Sequence, residues 1–210
     1  MVTKMMKFYA PLLSALLLST APACAKADDM TNNIPAVESQ SCAMQLDLSN
    51  LAEIKNWRVL LDGVMGGRST GTRFAEDGAM TFKGSINTNG GGFSSLRRPM
   101  KPGALKDVES LNMRVKTDGR AYKLTFRTDA THWGRSVSYQ LSIPQTAKDE
   151  WAEVTLPLTK FRTSVFGRNI RAAPFDAEQV REMGIILADG IDGPFELNLK
   201  SVRCNSTKAT

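Results

Sequence analysis

The sequence predicts an all-β fold, a sandwich or barrel of short strands carrying one short helix. Three observations predict it. Apolar residues recur with period two over short segments, turn signals rich in glycine and aspartate separate those segments, and only one stretch carries helix-start and helix-stop signals. Met44-Leu46-Leu48 is the first alternating run, and Trp57-Val59-Leu61 leads into a glycine turn. Met80-Phe82 continues through Gly84 to Ile86, and Phe93-Ser95-Arg97 follows Gly90-Gly91-Gly92. Leu111-Met113-Val115 ends at Thr117-Asp118-Gly119, a hairpin-like turn that opens Tyr122-Leu124-Phe126. Tyr139-Leu141-Ile143 stops at Pro144, and Val154-Leu156-Leu158 follows Trp151. Ile185-Leu187 precedes Asp189-Gly190, and Phe195-Leu197-Leu199 closes the domain. The helix is expected over Ala177 to Met183, with Asp176 as N-cap, Gln179 completing a capping box and Gly184 ending it.

The ends of the chain read differently. Lys4 and Lys7 precede the apolar run Phe8 to Leu18, which leads to Ala21-Pro22-Ala23-Cys24-Ala25-Lys26-Ala27. Residues 1–27 therefore read as a secretory signal peptide cut after Ala27, too short for a membrane span, with lipidation at Cys24 as the second option. Residues 28–41 are polar and form a flexible tether, the folded domain spans 42–205, and 206–210 are a disordered tail. The expected location is exported, periplasmic, with an outer-membrane lipoprotein as the other form. The formal charge of +6 invites a nucleic-acid reading. Removing residues 1–27 takes away Lys4, Lys7 and Lys26 and no acid, so 24 basic and 21 acidic residues remain, a balance of +3. That is no footprint for nucleic acid. Of the three cysteines, Cys42 and Cys204 stay in the mature chain, near the two ends of the domain, and are expected to pair in an oxidising compartment. Alternation puts Cys204 out of phase with Leu197 and Leu199, so the pairing needs a bulge near Ser201 or a chain end leaving the sheet. Two buried free thiols are the rival reading.

The densest motif is Trp57-Arg58-Val59-Leu60-Leu61-Asp62-Gly63-Val64-Met65-Gly66-Gly67-Arg68-Ser69. A strand-like run stops at Asp62, and a turn of Gly63, Gly66 and Gly67 follows. Val64 and Met65 are unusual in such a turn. They either plug the end of a β core or shape a loop for a partner, and the first account makes the loop chiefly a stability device.

Reactive chemistry finds little to work with. His132 is the only histidine, no nucleophile-elbow pattern accompanies it, and a zinc site would need more histidines or unpaired thiolates. The glycine clusters open no helix, so neither the phosphate-loop nor the dinucleotide pattern is met. No carboxylate pair stands out. The expectation is a binding protein with no enzyme activity, no cofactor and no metal. Two surfaces are candidates. Strand alternation places Asn112, Arg114, Lys116, Lys123, Thr125 and Arg127 outward. With Arg97 and the loop residue Trp133, the candidate binding face is Arg97, Arg114, Lys123, Arg127 and Trp133, either a solvated sheet face or a groove for a polar or anionic partner. Arg97-Arg98 also reads as an edge-strand guard. The second surface is the loop Phe161 to Arg171. There Arg162, Phe166, Arg168 and Arg171 have the composition of a protein interface, unless the loop folds back over the sandwich edge.

These residues resemble a known family. Trp57 with Asp62-Gly63-Val64-Met65-Gly66-Gly67 and Ser69 is similar to the signature of the complex I intermediate-associated protein 30 family. Phe82-x-Gly84, Gly91-Gly92-Phe93 with Arg97, Asp118-Gly119-Arg120-x-Tyr122, Tyr139, Trp151 ahead of Pro157, the Phe161 to Gly167 loop, Gly184-Ile185 and Gly193-Pro194-Phe195 follow in that family's order. The resemblance runs from about Cys42 to Cys204. It implies a jelly-roll β-sandwich of the galactose-binding-like type and a non-enzymatic assembly-factor role, holding a protein partner or assembly intermediate of respiratory complex I. The leader is secretory here, which makes this an exported, bacterial-type relative. The alternative function is a carbohydrate-binding module using the face near Arg114, Arg127 and Trp133.

Overall fold

The computed structural model describes residues 44–205. The leader (1–27), the tether (28–41), Cys42 and the tail (206–210) lie outside the described residues. Thirteen strands and one short α-helix make up the described chain. In chain order they are β1 (Gln45–Asp47), α1 (Leu51–Lys55), β2 (Arg58–Leu61), β3 (Thr70–Glu76), β4 (Ala79–Ile86), β5 (Ser94–Pro99) and β6 (Ser110–Thr117). There follow β7 (Tyr122–His132), β8 (Arg135–Ser142), β9 (Trp151–Pro157), β10 (Arg162–Val165), β11 (Arg168–Asn169), β12 (Glu182–Leu187) and β13 (Gly193–Asn205).

All pairings are antiparallel, and the strands form two sheets. The first runs β3-β4-β13-β6-β9 with β1 added to β13; the second runs β11-β10-β8-β7-β12-β5-β2. Between them lies one apolar cluster, with Phe82, Met113, Leu124, Phe126, Ile185 and Leu197 fully buried at its centre. Period two holds where it was read. β6 alternates half-buried and buried along its whole length, and β7 does so through Thr128. The structure is thus the expected β-sandwich.

Several local expectations need correction. The helix expected over Ala177 to Met183 is a single 3-10 turn at Ala177–Gln179. Asp176 does cap it, accepting from the Glu178 N–H at 2.9 Å. The chain then turns extended, because Met183, Ile185 and Leu187 fill an interior strand hydrogen-bonded on both sides. The α-helix lies instead at Leu51–Lys55, capped by the Asn50 side chain and burying only Ile54, too short for periodicity to reveal it. Thr117-Asp118-Gly119 is not a hairpin turn. It carries the chain from β6 in one sheet to β7 in the other. Arg97 guards no edge, since β5 lies between β12 and β2. The inward residues of β5 are Ser94 and Leu96, the opposite phase from the one expected. The segment Phe161 to Arg171 is a β10–β11 hairpin on the sheet edge, and Phe161 packs with Phe126, Tyr139 and Phe175. β3 was not foreseen, because its sequence lacks apolar alternation and it forms by pairing with β4.

At Cys204 the structure supplies the required irregularity. The β13–β6 register shifts between Leu199 and Ser201, which turns Val202 and Cys204 inward. Cys204 is buried, with its Sγ 3.1 Å from the Met44 carbonyl oxygen. Its expected partner Cys42 lies outside the described residues. Among the described residues no helix is long and apolar enough to cross a membrane.

The sheets approach closely where Gly71 and Gly84 face each other in register. A Cβ on Gly84 would stand 2.2 Å from the Thr70 carbonyl oxygen, and one on Gly71 would stand 2.4 Å from Ser94 Oγ of the opposite sheet. Backbone cannot yield as a flexible side chain does. Gly84→Ala should therefore lower stability by about 1–3 kcal/mol, read as a lower denaturant midpoint with unchanged slope.

Candidate functional site

β2 ends because the next residue is an aspartate whose side chain turns inward. Asp62 is fully buried at the start of a 3-10 turn, Asp62–Met65, closed by Gly66 at φ +87°. Its carboxylate accepts four hydrogen bonds: from Ser69 Oγ at 2.5 Å, the Ser69 N–H at 3.0 Å, the Gly92 N–H at 2.6 Å and the Phe93 N–H at 3.3 Å. Ser69 Oγ in turn accepts from the Asn87 N–H. One carboxylate thus ties the turn, the start of β3 and the loop before β5 together. Burial alone would push its pKa up, but the bonds from Ser69, Gly92 and Phe93 outweigh that and hold the carboxyl below its ordinary value of 3.8.

Two glycines make room for it. A Cβ on Gly67 would lie 2.2 Å from Asp62 Cγ, and one on Gly91 would lie 2.4 Å from Asp62 Oδ2. Gly63 meets no such crowding. Trp57, at the head of the motif, is also fully buried, and its indole N–H donates to Glu53 Oε1 at 3.1 Å. Val64 and Met65 are the exception. They are 69 % and 56 % exposed, so they do not plug the core end.

Met65 lines an open cleft of about 600 Å³ together with His132, Trp133, Arg135, Phe166 and Arg168. Three connections supply these side chains: the 3-10 turn, the β7–β8 hairpin and the β10–β11 hairpin. Both hairpins have two-residue loops, Trp133-Gly134 between paired His132 and Arg135, and Phe166-Gly167 between paired Val165 and Arg168. All four loop residues have positive φ: Trp133 +52°, Gly134 +71°, Phe166 +48° and Gly167 +76°. That is the type I′ pattern, whose first position favours Asn, Asp or Gly. The β3–β4 hairpin of this same chain uses the ordinary solution, Asp77-Gly78. A bulky aromatic at left-handed φ costs about 1–2 kcal/mol, and here two such residues stand at hairpin tips, 91 % and 66 % exposed. The His132 ring stacks on Trp133 at 5.5 Å, and the Arg135 guanidinium sits 4.9 Å from the Phe166 ring centre. The strand-loop-strand frame around each aromatic-glycine pair was the signal to find them by. The sequence pattern marks both segments as loops without fixing their turn type.

The candidate binding face is divided. Arg97, Lys123 and Arg127 share the outer face of the second sheet, whereas Arg114 lies on the outer face of the first, ion-paired to Glu153 at 3.2 Å and 5.8 Å from the Trp151 ring. Alternation sets in or out for each strand, but strands in different sheets face opposite ways. Trp133 belongs to the cleft. In the second candidate surface Phe166 and Arg168 line the cleft, while Arg162 and Arg171 are exposed outside it. Among the described residues no group of three or more His, Cys, Asp or Glu side chains could hold a metal ion.

The family model for complex I intermediate-associated protein 30 matches residues 46–199. The chain belongs to that family. Curated relatives include the probable mitochondrial complex I intermediate-associated protein 30 of Caenorhabditis briggsae, 31% identical over 98 residues. The mitochondrial complex I intermediate-associated protein 30 of Mus musculus is 31% identical over 93 residues. These matches cover 45% and 43% of this chain and 28% of each relative, so the chain spans about a quarter of their length. Among solved structures, the family 11 carbohydrate-binding module of Clostridium thermocellum, in complex with a mixed-linked tetrasaccharide, superposes with a TM-score of 0.58 at 13% identity. The comparison covers 79% of this chain and 98% of the module. The family 11 module of the Clostridium thermocellum cellulase Lic26A-Cel5E gives a TM-score of 0.59 at 12% identity, covering 79% of this chain and 97% of the module. At such identities the likeness establishes the fold alone, a two-sheet β-sandwich.

Two outcomes follow from Asp62. Asp62→Asn should lose roughly 2–4 kcal/mol at neutral pH, since the amide cannot accept all four donors and the charge-assisted bonds vanish. The carboxyl is depressed in the folded state, so its stabilisation is complete above the ordinary carboxylate range and disappears as pH falls through the lowered value. The gap in melting temperature between the native chain and Asp62→Asn should therefore close on acidification below about pH 4, in a thermal-melt series against pH. Separately, Gly67→Ala should destabilise the chain by more than Gly63→Ala, because only the former collides with Asp62; paired urea titrations measure the difference.

Proposed function

We propose that this chain is a non-enzymatic binding domain that holds a protein partner or assembly intermediate through the cleft formed by Met65, Trp133 and Phe166. Family membership supports an assembly role, since the curated relatives are named for complex I intermediates. The observation that carries the reading is the pair of aromatics held at left-handed φ on two hairpin tips beside one cleft. Residues in unfavourable backbone regions persist where the surrounding structure over-determines them, and they cluster at functional sites. Exposed Trp and Phe bordered by arginine have the composition of binding hot spots. The leader-like pattern of residues 1–27 supports export, with the periplasm as the compartment where this work is done.

Carbohydrate binding is the second reading, favoured by the fold shared with a module solved on a tetrasaccharide. The outer face of the second sheet has no aromatic residue among its strand positions to stack on a sugar ring, and Trp133 stands on a hairpin tip beyond it. The protein reading therefore ranks first.

Trp133→Asn and Phe166→Asn test it, because asparagine relieves the turn while removing the ring. Together they should raise stability by about 1–2 kcal/mol and weaken partner capture from the envelope fraction at least tenfold relative to the native chain. Capture that is undiminished in a stabilised double variant would falsify the cleft reading. A soluble saccharide that raises the melting temperature would support the second reading.

A further inference from the structure

Across the second sheet, outward residues stand in cross-strand rows. Arg58, Arg97, Gly184, Thr125 and Gln140 occupy one row, and Glu182, Arg127 and Ser138 the next. Gly184 leaves the floor beside Arg97 without a side chain, and a Cβ there would meet the Leu96 carbonyl oxygen at 2.4 Å and Thr125 Oγ1 at 2.9 Å. Three guanidinium groups converge on one carboxylate. Glu182 Oε2 lies 2.5 Å from Arg58 Nη2, while its Oε1 lies 3.5 Å from Arg97 Nη1 and 3.6 Å from Arg127 Nε. Only Arg58 makes a hydrogen bond in this group. Among the described residues the Arg97 and Arg127 side chains donate none.

Such an arrangement is expensive unless something else is recognised there. The Arg97 side chain is 18% exposed, so most of its hydration is lost without replacement. Burial, with the neighbouring charge of Arg127, pushes its pKa down to about 10 against the pull of Glu182. Three positive charges face one negative charge, and Lys123 adds a fourth cation to the same outer face. Elsewhere the chain shows what a satisfied arginine looks like. Arg120 holds Asp189 with two bonds at 2.9 and 2.7 Å and donates to the Gly193, Pro194 and Ile191 carbonyls.

We infer that Arg97 and Arg127 form a seat for a carboxylate of an acidic peptide segment, with Glu182 as the internal counter-ion that the incoming carboxylate joins. The planar fork of each guanidinium matches a carboxylate oxygen pair. Thr125 alongside supplies a hydroxyl partner for a peptide backbone, while the Gln140 amide already donates to Ser164 Oγ at 3.0 Å and Ser138 Oγ at 3.5 Å. The absence of aromatic residues at these strand positions favours peptide over an acidic polysaccharide. The inference takes only the source of the carboxylate from the protein-partner reading above; the cleft residues contribute nothing to the seat.

Fluorescence anisotropy of labelled hexaglutamate against the full-length chain tests it, with hexaglutamine and polygalacturonate as comparison ligands. Hexaglutamate should bind, hexaglutamine should not, and affinity should fall as salt rises. Arg127→Gln, at a site open enough to keep the fold, should weaken binding about tenfold with an unchanged melting temperature. Glu182→Gln should tighten it severalfold, an effect that a merely structural ion pair would not give. Failure of the native chain to bind hexaglutamate, equal affinity in Arg127→Gln, unchanged or weaker affinity in Glu182→Gln, or preference for polygalacturonate overturns the seat. Hexaglutamate binding should survive in the Trp133→Asn and Phe166→Asn double variant. Lost capture with intact hexaglutamate binding thus counts against the cleft alone, and the reverse counts against the seat alone.

Discussion

Among the described residues no cation pairs with Asp62, and its buried carboxylate is held instead by backbone N–H groups and one hydroxyl. Desolvating a carboxylate in a protein costs several kcal/mol. Three N–H groups and the Ser69 hydroxyl converge on it within hydrogen-bonding distance. Meeting that demand fixes three pieces of chain at once. The turn after β2 must close over the carboxylate, Ser69 must stand just ahead of β3, and the loop before β5 must bring the Gly92 and Phe93 N–H groups inward. Gly67 and Gly91 follow from the same constraint, since a β-carbon at either would occupy the space of the carboxylate. The family signature is largely the sequence image of this single packing problem.

With the turn held that way, Val64 and Met65 are left on the outside. The same rigid frame that stabilises one end of β2 therefore presents apolar side chains to solvent, so the buried and the exposed residues of this loop are different ones. The hairpin tips work by a different route. Trp133 and Phe166 stand in a conformation that asparagine would take more easily, so their aromatic character comes at the expense of local backbone energy. Phe161 and Phe175, a few residues away, pack into the aromatic cluster with Phe126 and Tyr139, which anchors the β10–β11 hairpin to the core. The expected choice between an interface loop and a folded-back loop thus resolves residue by residue. Phe161 faces the core and Phe166 faces solvent.

Charge is distributed according to which sheet a strand joins. β6 and β7 are neighbours in sequence and carry similar outward basic residues, yet the crossover at Thr117-Asp118-Gly119 sends them to opposite faces. Arg114 then finds Glu153 and Trp151, while Arg127 finds Glu182 and Arg97. A basic surface that looks continuous along the chain is two surfaces with different partners. The second sheet keeps more positive charge around Glu182 than that acid neutralises, and on the first sheet Arg114 pairs with Glu153.

By itself the sequence determined the class of fold, the inward residues of most strands and the need for an irregularity near Ser201. Each of these follows from period-two burial, which is a local property of a strand with one wet face. It also determined the family, because the Asp62 site needs particular residues at short spacing. Tertiary structure alone decided which strands share a sheet, where the 3-10 turn at Ala177–Gln179 gives way to β12, and that Leu51–Lys55 is the helix. It alone decided that Met65, Trp133 and Phe166 meet at one cleft and that three arginines gather on Glu182. These are contacts between residues far apart in the chain, set by how the two sheets pack, and no local periodicity encodes them.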